Sequence, residues 1–239
     1  MTGVLFSLLA GLGDLLGGTL VLAGARNRHR LLAGLVGFGA GFMLAVALLE
    51  MLPDALEVEG GLVGVLVGYL VVHFTQHAFT PHFHFGEETH PAASASPDIG
   101  LWALAGLVPH SFFDGVAIGS GFLQSWELGI LIFVAIVLHK VPTGVSLASI
   151  MLVSGNTNRR TLLSLAGLLV ATVAGAAATP SLRLLARHGL SLAAGVTIYV
   201  AASNLIPETQ RGRDWRVQGG VLAGVLAFVL LRAAMGGAG

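Results

Sequence analysis

His110 and Asp114 stand four residues apart in LVPHSFFDGVAIG, where almost every neighbour is apolar. Farther on, VLHKVPTGVSL carries His139, Lys140, Pro142 and Thr143 in an equally apolar setting. Residues at i and i+4 share a helix face, so His110 groups with Asp114 and His139 with Thr143. Two imidazoles and a carboxylate suit Zn²⁺, and also Fe²⁺, Mn²⁺, Co²⁺ or Cd²⁺. Thr143 or water would complete the shell. A plainer reading exists for each residue alone. A single intramembrane histidine can hydrogen-bond a neighbouring helix. An Asp114–Lys140 ion pair would offset much of the roughly 2.5–3.5 kcal/mol that each charge costs at a helix centre. That pair leaves two histidines and two prolines unexplained. Pro109 and Pro142 each remove a helical N–H and disturb the bonds to the carbonyls of Ala105 and Leu138. A freed carbonyl in hydrocarbon needs a partner, and a polar cavity around a metal supplies one.

Such residues need apolar helices to hold them. Of the 239 residues, 55% are hydrophobic and 10% charged, against about 25% charged in a soluble domain. The chain is therefore an integral membrane protein. A spanning helix needs about 20 apolar residues, and eight stretches qualify: 3–24, 31–52, 61–80, 100–121, 127–152, 161–182, 189–208 and 217–236. The expected fold is all-α, a single transmembrane domain over residues 1–239. The apolar runs are too long for strands and lack period-two alternation. Their uneven lengths, with Pro53, Pro109, Pro142, Pro180 and Pro207 inside or at the ends, predict tilt or breaks. The 34 glycines suit close packing of membrane helices. The fourth and fifth spans are joined by the short SGFLQSWEL, which makes them antiparallel neighbours.

Composition also excludes. Zero net charge gives no electrostatic case for nucleic acid. The absence of cysteine removes thiolate metal sites, disulfides and cysteine nucleophiles. The N-terminal run has no basic segment before it and reads as the first span rather than a cleaved signal. With the N-terminus outside, the inner loops hold Arg26, Arg28, Arg30, Arg159, Arg160, Arg211, Arg213 and Arg216, and the outer segments only Arg183, Arg187 and Arg232. Positive-inside bias then places both termini outside the cytoplasm. The long connection TPHFHFGEETHPAASASPDIG falls inside.

The motifs resemble the ZIP (Zrt-/Irt-like) family of divalent-metal transporters. Its fourth-helix pattern, His-Asn-x-x-(Asp/Glu)-Gly, is met by His110-Ser111-Phe112-Phe113-Asp114-Gly115. Its fifth-helix pattern, (His/Gln)-(Glu/Asp)-x-Pro-(His/Glu)-(Glu/Gly), is met by His139-Lys140-Val141-Pro142-Thr143-Gly144. GAGFMLAVALLEMLPDALE and GVTIYVAASNLIPETQ look like the family's second and seventh helices. The resemblance implies two bundles, with helices 1, 4, 5 and 6 carrying the site and 2, 3, 7 and 8 forming a frame. It implies alternating access that moves metal to the cytoplasm across the cell (inner) membrane.

The departures matter. Where members with a two-metal centre carry polar or charged ligands, this chain has Ser111, Lys140, Thr143 and Thr172, and the family's seventh-helix His-Glu is Ser203-Asn204. The resemblance therefore implies one site, formed by His110, Asp114 and His139 with Thr143, and Lys140 in the place of a second cation. The metal is cargo rather than cofactor, zinc first, with cadmium, iron or manganese as alternatives. Besides the metal, the partner is the lipid bilayer, and a homodimer is compatible with the sequence.

Other polar residues fit this reading less tightly. His73, His77, His82, His84 and His90, beside Glu87 and Glu88, suit weak metal capture or a solvated linker. Glu50, with Asp54, Glu57 and Glu59, could draw cations at the outer mouth, and Glu208 could line the exit. Asp14 reads as a residue packed or capping within the first helix, and His29 and His188 as loop residues. A passive metal channel, a metal sensor and an intramembrane zinc hydrolase are the rival functions. The last lacks H-E-x-x-H and a separate carboxylate base, so the chain is not expected to be an enzyme.

Overall fold

The computed structural model describes residues 1–23, 29–79, 97–210 and 215–234, without the side chains of 29–33, 35, 77–79, 99, 153, 183 and 208. Among the described residues every regular element is helical. They form eight rods. α1 is Thr2–Leu22. α2 runs as His29–Val46, a π turn Ala47–Met51 and Leu52–Leu56. α3 is Gly61–Phe79, α4 Pro97–Gln124, α5 Trp126–Val153 and α6 Asn158–Ala178. α7 runs as Arg183–Tyr199, a π turn Val200–Leu205 and Ile206–Gln210, and α8 is Trp215–Ala234. Seven rods contain a stretch long and apolar enough to cross a membrane; the described apolar part of α3, Gly61–Gln76, is shorter.

Several boundaries differ from the expected ones. α4 starts at Pro97 rather than 100, with Asp98 in its first turn. Both look like loop residues by polarity, yet proline is pre-set for a first helical position and an acid suits the positive helix end. His29 and His188 lie in α2 and α7 rather than in loops. α4 and α5 stay helical through Pro109 and Pro142. The departures from α geometry come instead in α2 and α7, just ahead of Pro53 and Pro207. There Leu52 N–H donates to the Ala47 carbonyl and Ile206 N–H to the Ala201 carbonyl, five residues back. The widened turn shifts the ladder one register where the proline would interrupt it. ALLEMLPD and AASNLIPE thus match in sequence and in shape.

The turn between α4 and α5 is Ser125 alone. Its backbone is extended, and its Oγ accepts a hydrogen bond from Leu128 N–H at 3.0 Å. Two long helices therefore double back on each other. His110 and His139 lie almost equally far from Ser125 along the chain and so come level. At the Ser125 end Phe6 of α1 packs on Phe122, Phe133 and Trp126 at ring distances of 4.7, 4.9 and 5.8 Å. This pins α1 to the α4–α5 hairpin.

α1 and α4 each pack on both α5 and α6, while α2 pairs with α8 and α3 with α7. This is the expected two-bundle arrangement, joined through α2 against α5 and α4 against α7. The helices wear their apolar residues outward: α1 exposes Leu5, Leu9, Leu12 and Leu16 and buries Ser7, Gly11, Asp14 and Gly18. In lipid no hydrophobic force draws apolar faces together, so small residues set the contacts. A methyl group added at Gly144 of α5 would collide with the Asp14 carbonyl oxygen, and one at Gly17 of α1 with the Val141 carbonyl. Gly115 of α4 and Gly175 of α6 meet the carbonyls of Thr172 and Phe112 in the same way. Gly144→Leu is expected to force α1 off α5 at an overpacking cost of about 1–3 kcal/mol. The check is a lowered thermal midpoint of the detergent-solubilised protein; an unchanged midpoint would show that α1 does not depend on this contact.

Candidate metal site

His110 and Asp114 lie midway along α4, and His139 midway along α5. Each offers a ligand atom within 4.8 Å of the other two. All three side chains are buried. Asp114 Oδ2 stands 3.4 Å from His110 Nε2 and 3.4 Å from His139 Nε2, and the two rings are 5.4 Å apart. The grouping expected from spacing alone is therefore present across two helices.

The hydrogen bonds prepare His139 to bind a cation. His139 Nδ1 is 3.1 Å from the carbonyl oxygen of Ala135. A carbonyl only accepts, so Nδ1 carries the proton, and in the neutral ring Nε2 turns a lone pair toward Asp114. Two lone pairs facing each other at 3.4 Å call for a cation between them, either a proton or a metal ion. Fixing the ring through its other nitrogen is how proteins orient metal-binding imidazoles. His110 Nδ1 is buried and has no hydrogen-bond partner among the described residues. Thr143 is buried too, and its hydroxyl donates to the His139 carbonyl at 2.9 Å. The bond ties Thr143 to the helix turn that carries His139.

Lys140 does not point away from this group. It is fully buried, and its Nζ lies 3.1 Å from Asp114 Oδ2, 3.0 Å from Asp14 Oδ2 and 3.0 Å from Ser111 Oγ, to which it donates. The ammonium thus donates to Ser111 and forms ion pairs with two carboxylates, Asp114 on α4 beside Ser111 and Asp14 on α1. Asp14 is the correction. It neither caps nor merely packs within α1; it is the second carboxylate of Lys140. The signal for it was in the sequence: one buried lysine against two mid-span acids, with Asp14 set among the glycines of GLGDLLGG that let α1 approach α5.

The remaining expected residues lie elsewhere. Thr172 on α6 is buried and donates to the Leu168 carbonyl at 3.0 Å. Ser203 meets Tyr69 at 3.2 Å, and Asn204 donates to Gln76 at 3.1 Å, both between α7 and α3. Glu50 is not a free carboxylate at a mouth, because Arg232 of α8 forms an ion pair with it. His73 is half-buried with its ring beside Tyr199 and Phe74, apart from the triad. The side chains of His77 and Glu208, and all of His82, His84, His90, Glu87 and Glu88, lie outside the described residues.

Lys140→Met would strand two buried carboxylates. Removing one member of a buried ion pair costs about 3–5 kcal/mol, so a large fall in the thermal midpoint is expected. A midpoint within a degree or two of the parent would mean that the ammonium does not hold these helices.

A family model described as ZIP Zinc transporter matches residues 75–232, which takes in α4 to α7 entirely and every member of the triad. A zinc transporter ZupT from Escherichia fergusonii is 31% identical over 136 residues, 53% of this chain and 52% of that protein. The ZupT of Salmonella heidelberg is 30% identical with the same coverage. The chain spans about half the length of these curated relatives. With the family model matching well over half of its residues, including those that build the triad, this multi-pass membrane protein belongs to the ZIP family.

Proposed function

We propose that this protein carries divalent transition-metal ions, zinc foremost, across the cell membrane toward the cytoplasm through one site. The observation that carries the reading is the buried triad of His110, Asp114 and His139, its ligand atoms within 4.8 Å of one another at the middle of two apolar helices. Groups that are costly in hydrocarbon sit where a permeating ion has to pass. Two imidazoles and one carboxylate suit Zn²⁺, and Cd²⁺, Fe²⁺ or Mn²⁺ are the natural competitors. Relatives that share about 30% identity with this chain bear the name zinc transporter.

In this reading a hydrated ion arrives from outside and exchanges water for His110, Asp114 and His139, with Thr143 able to add its hydroxyl oxygen. Lys140 stands where a second cation would otherwise sit and holds Asp114 from the far side. The α1, α4, α5 and α6 bundle then moves against the frame to open the site to the cytoplasm. The arginine distribution supports an orientation with both termini outside. No covalent chemistry is assigned to the chain.

Proteoliposome uptake of radioactive zinc tests this directly. The parent is expected to saturate, and His110→Ala, Asp114→Ala and His139→Ala are each expected to lose at least about tenfold, since the ligands must act together. Normal uptake by all three would remove the triad from the route. Acid places protons on the ring nitrogens that the metal needs, so zinc uptake is expected to weaken as the pH is lowered. Uptake that rises on acidification would count against imidazole ligands. Lys140→Asp is expected to raise the zinc bound per chain from one ion to two in equilibrium binding; unchanged stoichiometry would show that Lys140 does not fill a second cation's place.

A further inference from the structure

We propose that Asp14 is a positioning residue, the carboxylate that takes up the Lys140 ammonium when Asp114 is needed by a divalent ion. The proposal rests on the metal-site reading above and adds a residue that no part of that reading requires. Asp114 Oδ2 has two duties at once: it is the oxygen nearest both imidazole Nε2 atoms, and it is 3.1 Å from Lys140 Nζ. A divalent ion bound to His110 and His139 must share that oxygen with a permanent cation. If Asp114 were the only anion, lysine and metal would compete for it and repel each other at close range. Asp14 changes the balance. It lies 3.0 Å from the same ammonium, on α1, and is not among the grouped ligand atoms. When Asp114 turns to the metal, the ammonium keeps a full ionic partner in Asp14 and an acceptor in Ser111 Oγ, also at 3.0 Å.

A purely structural ion pair needs one acid for one base. A second buried acid adds a second desolvation cost, which becomes useful if one of the two carboxylates is also required elsewhere. The local packing supports a fixed rather than incidental place for Asp14. Its backbone carbonyl lies against Gly144, where a methyl group would collide, and Gly13, one residue earlier, lies against the Lys140 Cβ. The carboxylate therefore reaches Lys140 from a stretch of α1 that lies directly against α5 at Lys140 and Gly144. With ordinary ionisation, Asp14, Asp114 and Lys140 together leave one negative charge to receive the ion; without Asp14 they leave none.

The test is equilibrium binding of radioactive Zn²⁺ to the full chain in detergent, with the thermal midpoint measured alongside. Asp14→Asn, nearly the same in shape, is expected to bind zinc at least about tenfold more weakly. Asp14→Glu is expected to restore most of the affinity. Asp14→Asn combined with Lys140→Met removes acid and base together and is expected to return to within about threefold of the parent. A folded Asp14→Asn that binds zinc as tightly as the parent overturns the proposal, as does a double variant that remains as weak as Asp14→Asn. Should Asp14→Asn fail to fold, the double variant decides by the same threshold. Absence of zinc binding by the parent chain overturns the metal-site reading and this proposal with it, whereas equal binding by parent and Asp14→Asn overturns this proposal alone.

Discussion

One buried ammonium organises the interior of this protein. Lys140 comes from α5, and the groups around it come from α1 and α4. In hydrocarbon none of these three charges could stand alone, since each would cost several kcal/mol. Their mutual contact is therefore a condition for the helices to be in the membrane together, and it fixes rotation as well as proximity. The glycine faces follow from that demand: α1 must come near enough for a short aspartate to reach the lysine, and Gly13, Gly17 and Gly144 remove the side chains that would hold it off.

The histidines benefit from the same arrangement. Asp114 is held from one side by Lys140 while its Oδ2 faces the two Nε2 atoms on the other. His139 is held from behind by the Ala135 carbonyl. The candidate ligand atoms thus have their directions set by neighbours outside the triad, the division of work expected between a metal site and its surroundings. Phe6, inserted against Phe122, Phe133 and Trp126, keeps α1 in step with the hairpin that carries the ligands.

Much of this was legible in the sequence because spacing along a helix is a direct geometric statement. His110 with Asp114, and their approach to His139 across a short turn, needed only a period of 3.6 and a tight connection. Apolar run length sufficed to count the rods, though not to end them: Pro97 and Asp98 look like loop and are helix. The role of Asp14 was harder to read, because its signal, one buried lysine against two mid-span acids, is spread over three helices and no local pattern links α1 to α5. Only the complementary glycines reveal which faces touch, and they name no partner. Glu50 misled for a similar reason: Arg232 is far away in the sequence and adjacent in space. The π turns were also hidden, since Pro53 and Pro207 predict disturbance but not its form, while Pro109 and Pro142 in α4 and α5 leave the helices continuous.

The tie between α1 and the hairpin has an electrical consequence. Because Asp14, Asp114 and Lys140 sit on helices of one bundle, any motion of that bundle carries all three charges together. With both imidazoles neutral, the empty bundle holds a net charge of minus one, and a divalent ion turns it to plus one. If the bundle carries the ion as proposed above, an inside-negative membrane potential would pull the loaded bundle inward and push the empty one back out. Each elementary charge moved across the full field is worth about 2.3 kcal/mol per 100 mV. In that cycle a lone lysine–aspartate pair would leave the return stroke indifferent to voltage, and the second acid would make both halves respond to it.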